Sequence, residues 1–145
     1  MAMTNKEQLQ HWFDEVWGKC NFSVMDEVLA PDFIAHGILP SFGMKQGDLR
    51  ELILATRNLL TGLETEILQC VEEGDMIAAR LRFTARRTDT GEPVSYSGQI
   101  IARFENGMMK ESFNQIAYFS VLEQLGQLPP DALAICFTGQ RLTWA

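Results

Sequence analysis

VSYSGQIIARFENGMMKESFNQIAY, residues 94–118, is the stretch whose reading decides the fold. Asn106-Gly107 at its centre is a two-residue hairpin signal, because a type I′ turn places both central residues at positive φ. With that turn fixed, Glu105 lies opposite Met108, Ile100 opposite Phe113 and Gly98 opposite Gln115. One face then reads Tyr96, Gly98, Ile100, Ala102 and Phe104 against Met109, Glu111, Phe113, Gln115 and Ala117. A carboxylate and an amide on an otherwise apolar face, with glycine and alanine leaving space beside them, are expected to line a pocket.

Upstream of this hairpin the same period of two continues. Met76 to Arg87 alternates Ile77, Ala79, Leu81, Phe83 and Ala85 with Arg80, Arg82, Thr84 and Arg86, the pattern of a strand with one dry and one wet face. Pairing Arg87 with Val94 brings the apolar faces of all three strands together. Thr65 to Glu72, turned by Gly74-Asp75, adds a fourth strand. The opposite face, read as Arg80, Arg82, Arg86, Gln99, Arg103, Lys110, Ser112 and Asn114, is expected to meet water or a second copy.

Towards the N-terminus the period lengthens to that of a helix. Thr4 and Glu7 form a capping box ahead of a stripe of Leu9, Trp12, Phe13, Val16 and Trp17, which Gly18 stops. A short helix opens at Ser23 and ends before Pro31, and a third runs from Asp48 to Leu60. Between them lie an extended segment, Asp32 to His36, and a Gly/Pro/Ser loop, Gly37 to Gly47, expected to form a rim or lid. Val121 to Leu125 reads as a turn or two of helix, and residues 131–145 as an extension, either a strand or an arm. Helices first and strands afterwards predict an α+β domain spanning residues 1–145. Three N-terminal helices would pack on a curved, mainly antiparallel sheet of four to six strands, forming a cone with an open mouth.

Composition narrows the partners. A chain of 145 residues with 46% hydrophobic and 21% charged content is an ordinary globular domain. Its net charge of −7 argues against nucleic acid or an anionic membrane surface. Cys20, Cys70 and Cys136 are scattered, odd in number and without a Cys-x-x-Cys pair, which fits reduced thiols in a cytoplasm. The first residues lack the apolar centre of a signal peptide, and no run approaches the roughly 20 apolar residues of a membrane span. The two histidines, 25 residues apart with no thiol pair nearby, give no metal-ligand spacing.

Several segments together resemble the polyketide-cyclase-like branch, called SnoaL-like or ester cyclase, of the superfamily that includes nuclear transport factor 2 and ketosteroid isomerase. They are Trp12-Phe13-Asp14-Glu15-Val16-Trp17, Met25-Asp26-Glu27-Val28-Leu29-Ala30-Pro31-Asp32-Phe33 leading to His36, Glu72-Glu73-Gly74-Asp75, Glu111-Ser112-Phe113, and Leu122-Glu123-Gln124-Leu125-Gly126-Gln127-Leu128-Pro129. The resemblance spans roughly residues 5–130. It implies a cone-shaped fold and an enzyme that needs no metal or cofactor. In such cyclases an acid near the final strand removes a proton α to an ester carbonyl while neighbouring donors hold the enolate. Here that stretch carries Asn114, Gln115 and Ala117, none of which takes a proton at neutral pH.

The candidate catalytic groups are therefore His36 or Glu111 to move a proton, and Gln115, with Asn114 or Tyr96, to hold the oxyanion. Trp17, Phe33, Phe83, Tyr96 and Phe113 are the candidate walls. The expected guest is an apolar, carbonyl-bearing small molecule undergoing aldol closure, isomerisation or hydrolysis, in a homodimer joined through the sheet. The rival reading is a non-catalytic binding or scaffold domain. A third, a protein-interaction module, calls for an exposed apolar patch outside the cavity.

Overall fold

The computed structural model describes residues 3–39 and 42–143. Helix α1 (Asn5–His11) starts at the expected capping box. The Glu7 amide donates to Thr4 Oγ1 at 3.1 Å, and the Thr4 amide donates to Glu7 Oε1 at 3.2 Å. The helix widens into a π-helical stretch, Trp12–Gly18, that keeps Trp12, Phe13 and Val16 buried. Helix α2 (Phe22–Val28) leads directly into strand β1 (Leu29–Leu39), longer than the expected extended segment. The Gly37–Gly47 segment is not simply a loop. Its residues 42–44 form β2 (Phe42–Met44), which pairs back on β1, while Pro40 and Ser41 lie outside the described residues. Helix α3 (Gln46–Leu59) follows.

The remaining strands are β3 (Leu60–Glu73), β4 (Met76–Arg87), β5 (Pro93–Glu105) and β6 (Met108–Ile116), and they are followed by α4 (Tyr118–Gln124) and α5 (Ala132–Phe137). The six strands form one curved sheet in the order β2-β1-β6-β5-β4-β3, antiparallel except for the parallel β1–β6 pair. The N-terminal helical layer covers one face, and the core between them is apolar and continuous, from Leu9 and Met25 to Ile77, Leu81 and Met109. This is the α+β architecture expected from the sequence. No helix among the described residues is long and apolar enough to cross a membrane.

Two registers differ from the sequence reading. Arg86, not Arg87, aligns one step from the turn with Pro93, so Ala85 faces Val94 and Leu81 faces Gly98. The Arg87 amide closes a tighter turn by donating to the Glu92 carbonyl at 2.8 Å. An even shift leaves every side chain on its expected face. The second difference turns side chains over. Beyond the Asn106-Gly107 turn, which does take positive φ at both residues, Phe104 pairs with Met109 but Arg103 pairs with Glu111. Lys110 is therefore an extra residue, a β-bulge. From there Ser112 and Asn114 point inward and Glu111, Phe113 and Gln115 outward, the reverse of a regular ladder. The bulged lysine is tied across to β1, its Nζ donating to both Asp32 carboxylate oxygens at 2.7 and 2.8 Å. Residues 132–137, expected as strand or arm, are helical instead.

Candidate functional site

Between the helical layer and the inner sheet face lies a cavity of about 30 Å³. Its walls are aromatic. Trp12, Phe13 and Trp17 come from the π-helical stretch, Phe33 from β1, Phe83 from β4, Tyr96 from β5 and Tyr118 from the start of α4. Phe83 and Tyr96 stack with centroids 4.7 Å apart and planes inclined at 16°, and Phe13 meets Phe83 edge-on at 6.0 Å. Such contacts fix ring orientation as well as burying area.

The polar groups enter from β6. Ser112 and Asn114 are almost fully buried. The Asn114 side-chain amide donates at 3.0 Å to the His36 carbonyl oxygen and at 3.0 Å to Ser112 Oγ. Both of its donor hydrogens are thereby used within the protein, which leaves its carbonyl oxygen as the acceptor on offer. The two phenols behave differently. Burial pushes the Tyr118 phenol up to about 12, and burial with the neighbouring Tyr118 pushes Tyr96 further up. Both phenols thus remain protonated, and able to donate, at any physiological pH. Among the described residues lining this cavity there is no Asp, Glu, His, Lys, Arg or Cys.

Residues 9–112 match the model of the SnoaL-like domain. The chain belongs to the SnoaL-like domain family. Solved structures of similar shape include IdmH from Streptomyces antibioticus, a candidate polyketide cyclase. It has a TM-score of 0.75 at 17% identity, over 86% of this chain and 99% of that one. A protein of ketosteroid isomerase-like fold from Catenulispora acidiphila, in complex with trimethylamine, gives 0.72 at 17% identity, over 88% and 98%. AclR from Streptomyces galilaeus, a candidate hydroxylase, gives 0.68 at 23% identity, over 79% and 90%. At these identities the likeness is one of fold. No curated protein matches the sequence.

In this SnoaL-like domain the expected site residues divide between the two faces of the sheet. Trp17, Phe33, Phe83, Tyr96 and Asn114 line the cavity. Glu111, Gln115 and Phe113 do not, because the Lys110 bulge turns them outward. His36 shares their side: its Nε2 hydrogen-bonds Glu111 Oε2 at 2.9 Å, and its ring stacks on Phe113 at 4.8 Å. Arg103 approaches the other Glu111 oxygen at 3.7 Å. The His36 and Glu111 side chains are 37% and 31% exposed, so the pair sits in a wet groove on the outer face, not in the dry interior. Ser112, Ile116 and Tyr118 are cavity residues that the regular register missed. One signal for them was available: Met109 and Ile116 are both apolar and an odd number of positions apart, so a strand burying both must change parity between them. No group of three or more His, Cys, Asp or Glu side chains that could hold a metal lies among the described residues.

Proposed function

We propose that this SnoaL-like domain takes a small, largely apolar molecule bearing a carbonyl or hydroxyl oxygen into its inner cavity. It acts on that molecule by orienting and hydrogen-bonding the oxygen, not by abstracting a proton. One observation carries this reading: the cavity lining combines protonated phenols, a serine and an oriented amide with no side chain that is basic at neutral pH. Two phenol donors beside an oxygen would hold and polarise a carbonyl, the role of preorganised dipoles. Enolisation by a side-chain base would need a proton acceptor within hydrogen-bond reach of the substrate. His36 and Glu111, the groups able to serve, face the other side of the sheet. The oxygen-bearing guest is also in keeping with relatives of this shape that are candidate polyketide cyclases.

A cavity of about 30 Å³ holds only a water or two as it stands. A guest therefore enters by displacing side chains of the helical layer, with half-buried Trp17 and Tyr118 the movable walls. The test is a thermal-shift screen of small aromatic ketones, enones and β-keto esters. A guest bound only by the folded chain stabilises it by about 2.7 kcal/mol at one hundred times its Kd. Tyr96→Phe should weaken binding roughly tenfold, the worth of one hydrogen bond, and His36→Ala should leave it unchanged. Deuterium exchange α to a bound ketone should run no faster than in buffer. Exchange accelerated by the protein would contradict the reading.

A further inference from the structure

Asn114 stands on the inner face of β6 in the cavity wall, 7% exposed and paired across the ladder with Ile100. Its amide is held one way round. Nδ2 donates at 3.0 Å to the His36 carbonyl, a group that can only accept, so the flipped amide would set two acceptor oxygens against each other. The second hydrogen goes to Ser112 Oγ at 3.0 Å. The side-chain carbonyl oxygen accepts no hydrogen bond among the described residues, yet it is not sealed in. The fully buried, unpartnered side-chain atoms among those residues are Glu15 Oε2 and Thr65 Oγ1. The Asn114 oxygen therefore borders open space on the cavity side. We propose that this oxygen makes Asn114 the specificity-determining residue of the cavity. It selects a guest carrying a hydroxyl donor as well as its carbonyl, a hydroxy-ketone or an enol, over ketones and esters without one.

The selection rests on the oxygen-bearing guest proposed above and narrows its chemistry. Tyr96, Tyr118 and Ser112 bring hydroxyls, which donate or accept as a guest requires, whereas an amide oxygen can only accept. A guest that fills the cavity shuts solvent away from that oxygen and must supply the donor itself. A bare ketone leaves the oxygen buried without a partner, and the loss falls on binding. Sites built to bond a hydroxyl discriminate strongly for this reason, because the analogue lacking it strands the site's own polar group. A hydroxyl also suits the site better than a cationic amine. Among the described residues lining the cavity no carboxylate is placed to pair a buried ammonium, and a hydroxyl oxygen can in addition accept from Ser112 or a phenol.

Calorimetry with matched guests on the intact protein tests this. The probes are 3- and 4-hydroxyacetophenone, each compared with its methoxy counterpart and with unsubstituted acetophenone. In at least one set the hydroxyl member should bind roughly tenfold tighter than both comparators, the worth of one hydrogen bond. Weak binding of the smaller, unsubstituted ketone separates hydrogen bonding from crowding by the methyl group. Tyr96→Phe should weaken the members alike and keep their ratio, whereas Asn114→Leu should abolish the ratio. If Asn114→Leu does not fold, the Asn114 side-chain carbonyl of the parent protein is read by carbon NMR. Its resonance should move downfield with the hydroxy-ketone and not with the methoxy-ketone. No preference for the hydroxyl in either set, a preference that survives Asn114→Leu, or an unmoved Asn114 resonance would overturn the selection and leave the oxygen-binding reading standing. Failure of every ketone to bind, hydroxylated or not, would overturn both.

Discussion

Asn114 and Gly37 show how much single positions decide here. Asn114 reaches from the inner face to the His36 carbonyl, and at the next residue the two strand backbones nearly touch: a Cβ on Gly37 would collide with the Asn114 carbonyl oxygen. Gly37 also sits at φ +81°, a conformation other residues rarely adopt. Gly37→Ala should therefore cost about 3 kcal/mol or more in a urea melt, where a tolerated surface change costs within about 0.5. The phenols give a pH signature. The chain has two tyrosines, so alkaline absorbance reports Tyr96 and Tyr118 alone. In the unfolded chain both ionise near the ordinary value of about 10, whereas the folded chain keeps Tyr118 protonated up to about 12 and Tyr96 beyond it. The folded state holds these protons more tightly. Its stability is thus undiminished below pH 10 and falls as pH rises from about 10 towards 12. Native absorbance titrating with the ordinary midpoint, in a chain still folded by circular dichroism, would contradict the burial of both rings.

The elements were legible where periodicity was long and unbroken, as in the helical stripe from Leu9 to Trp17 and the alternation from Ile77 to Ala85. The turn at Asn106-Gly107 was legible too, through its backbone chemistry. What escaped was a single extra residue. A bulge leaves no composition of its own, and Lys110 is as ordinary in a hairpin arm as any other lysine, yet it reverses every facing after it. The short α5 escaped for a different reason: Ala132 to Phe137 is apolar throughout, so neither the helical nor the strand period stands out. The bulge makes a specific prediction. Deleting Lys110 should leave Glu111 opposite Arg103 in an even ladder, with Ser112 and Asn114 still inward. The deletion variant should fold, keep its guest, and lose only the exposed contact to Asp32. Loss of the fold would show that the bulge sets the sheet's curvature as well as its register.

At the scale of the molecule, a curved sheet with helices on one side has two faces with different chemistry. The inner one is dry, aromatic and furnished with donors; the outer one holds the His36–Glu111 pair in water beside an apolar row. The sequence placed the right residue types on β6 and assigned them to the wrong sides, so the cone was readable while the site was only half so. Adjacent isoleucines on β5 report the two faces independently: Ile100 is 2% exposed and lines the cavity, and Ile101 is 44% exposed on the far side. The most direct measurement is methyl NMR of these two residues during titration with the best-stabilising guest, under conditions where the oligomeric state does not change. Saturable shifts at Ile100 with Ile101 unmoved are predicted. Shifts confined to Ile101 would place binding beside His36 and Glu111 and contradict the account.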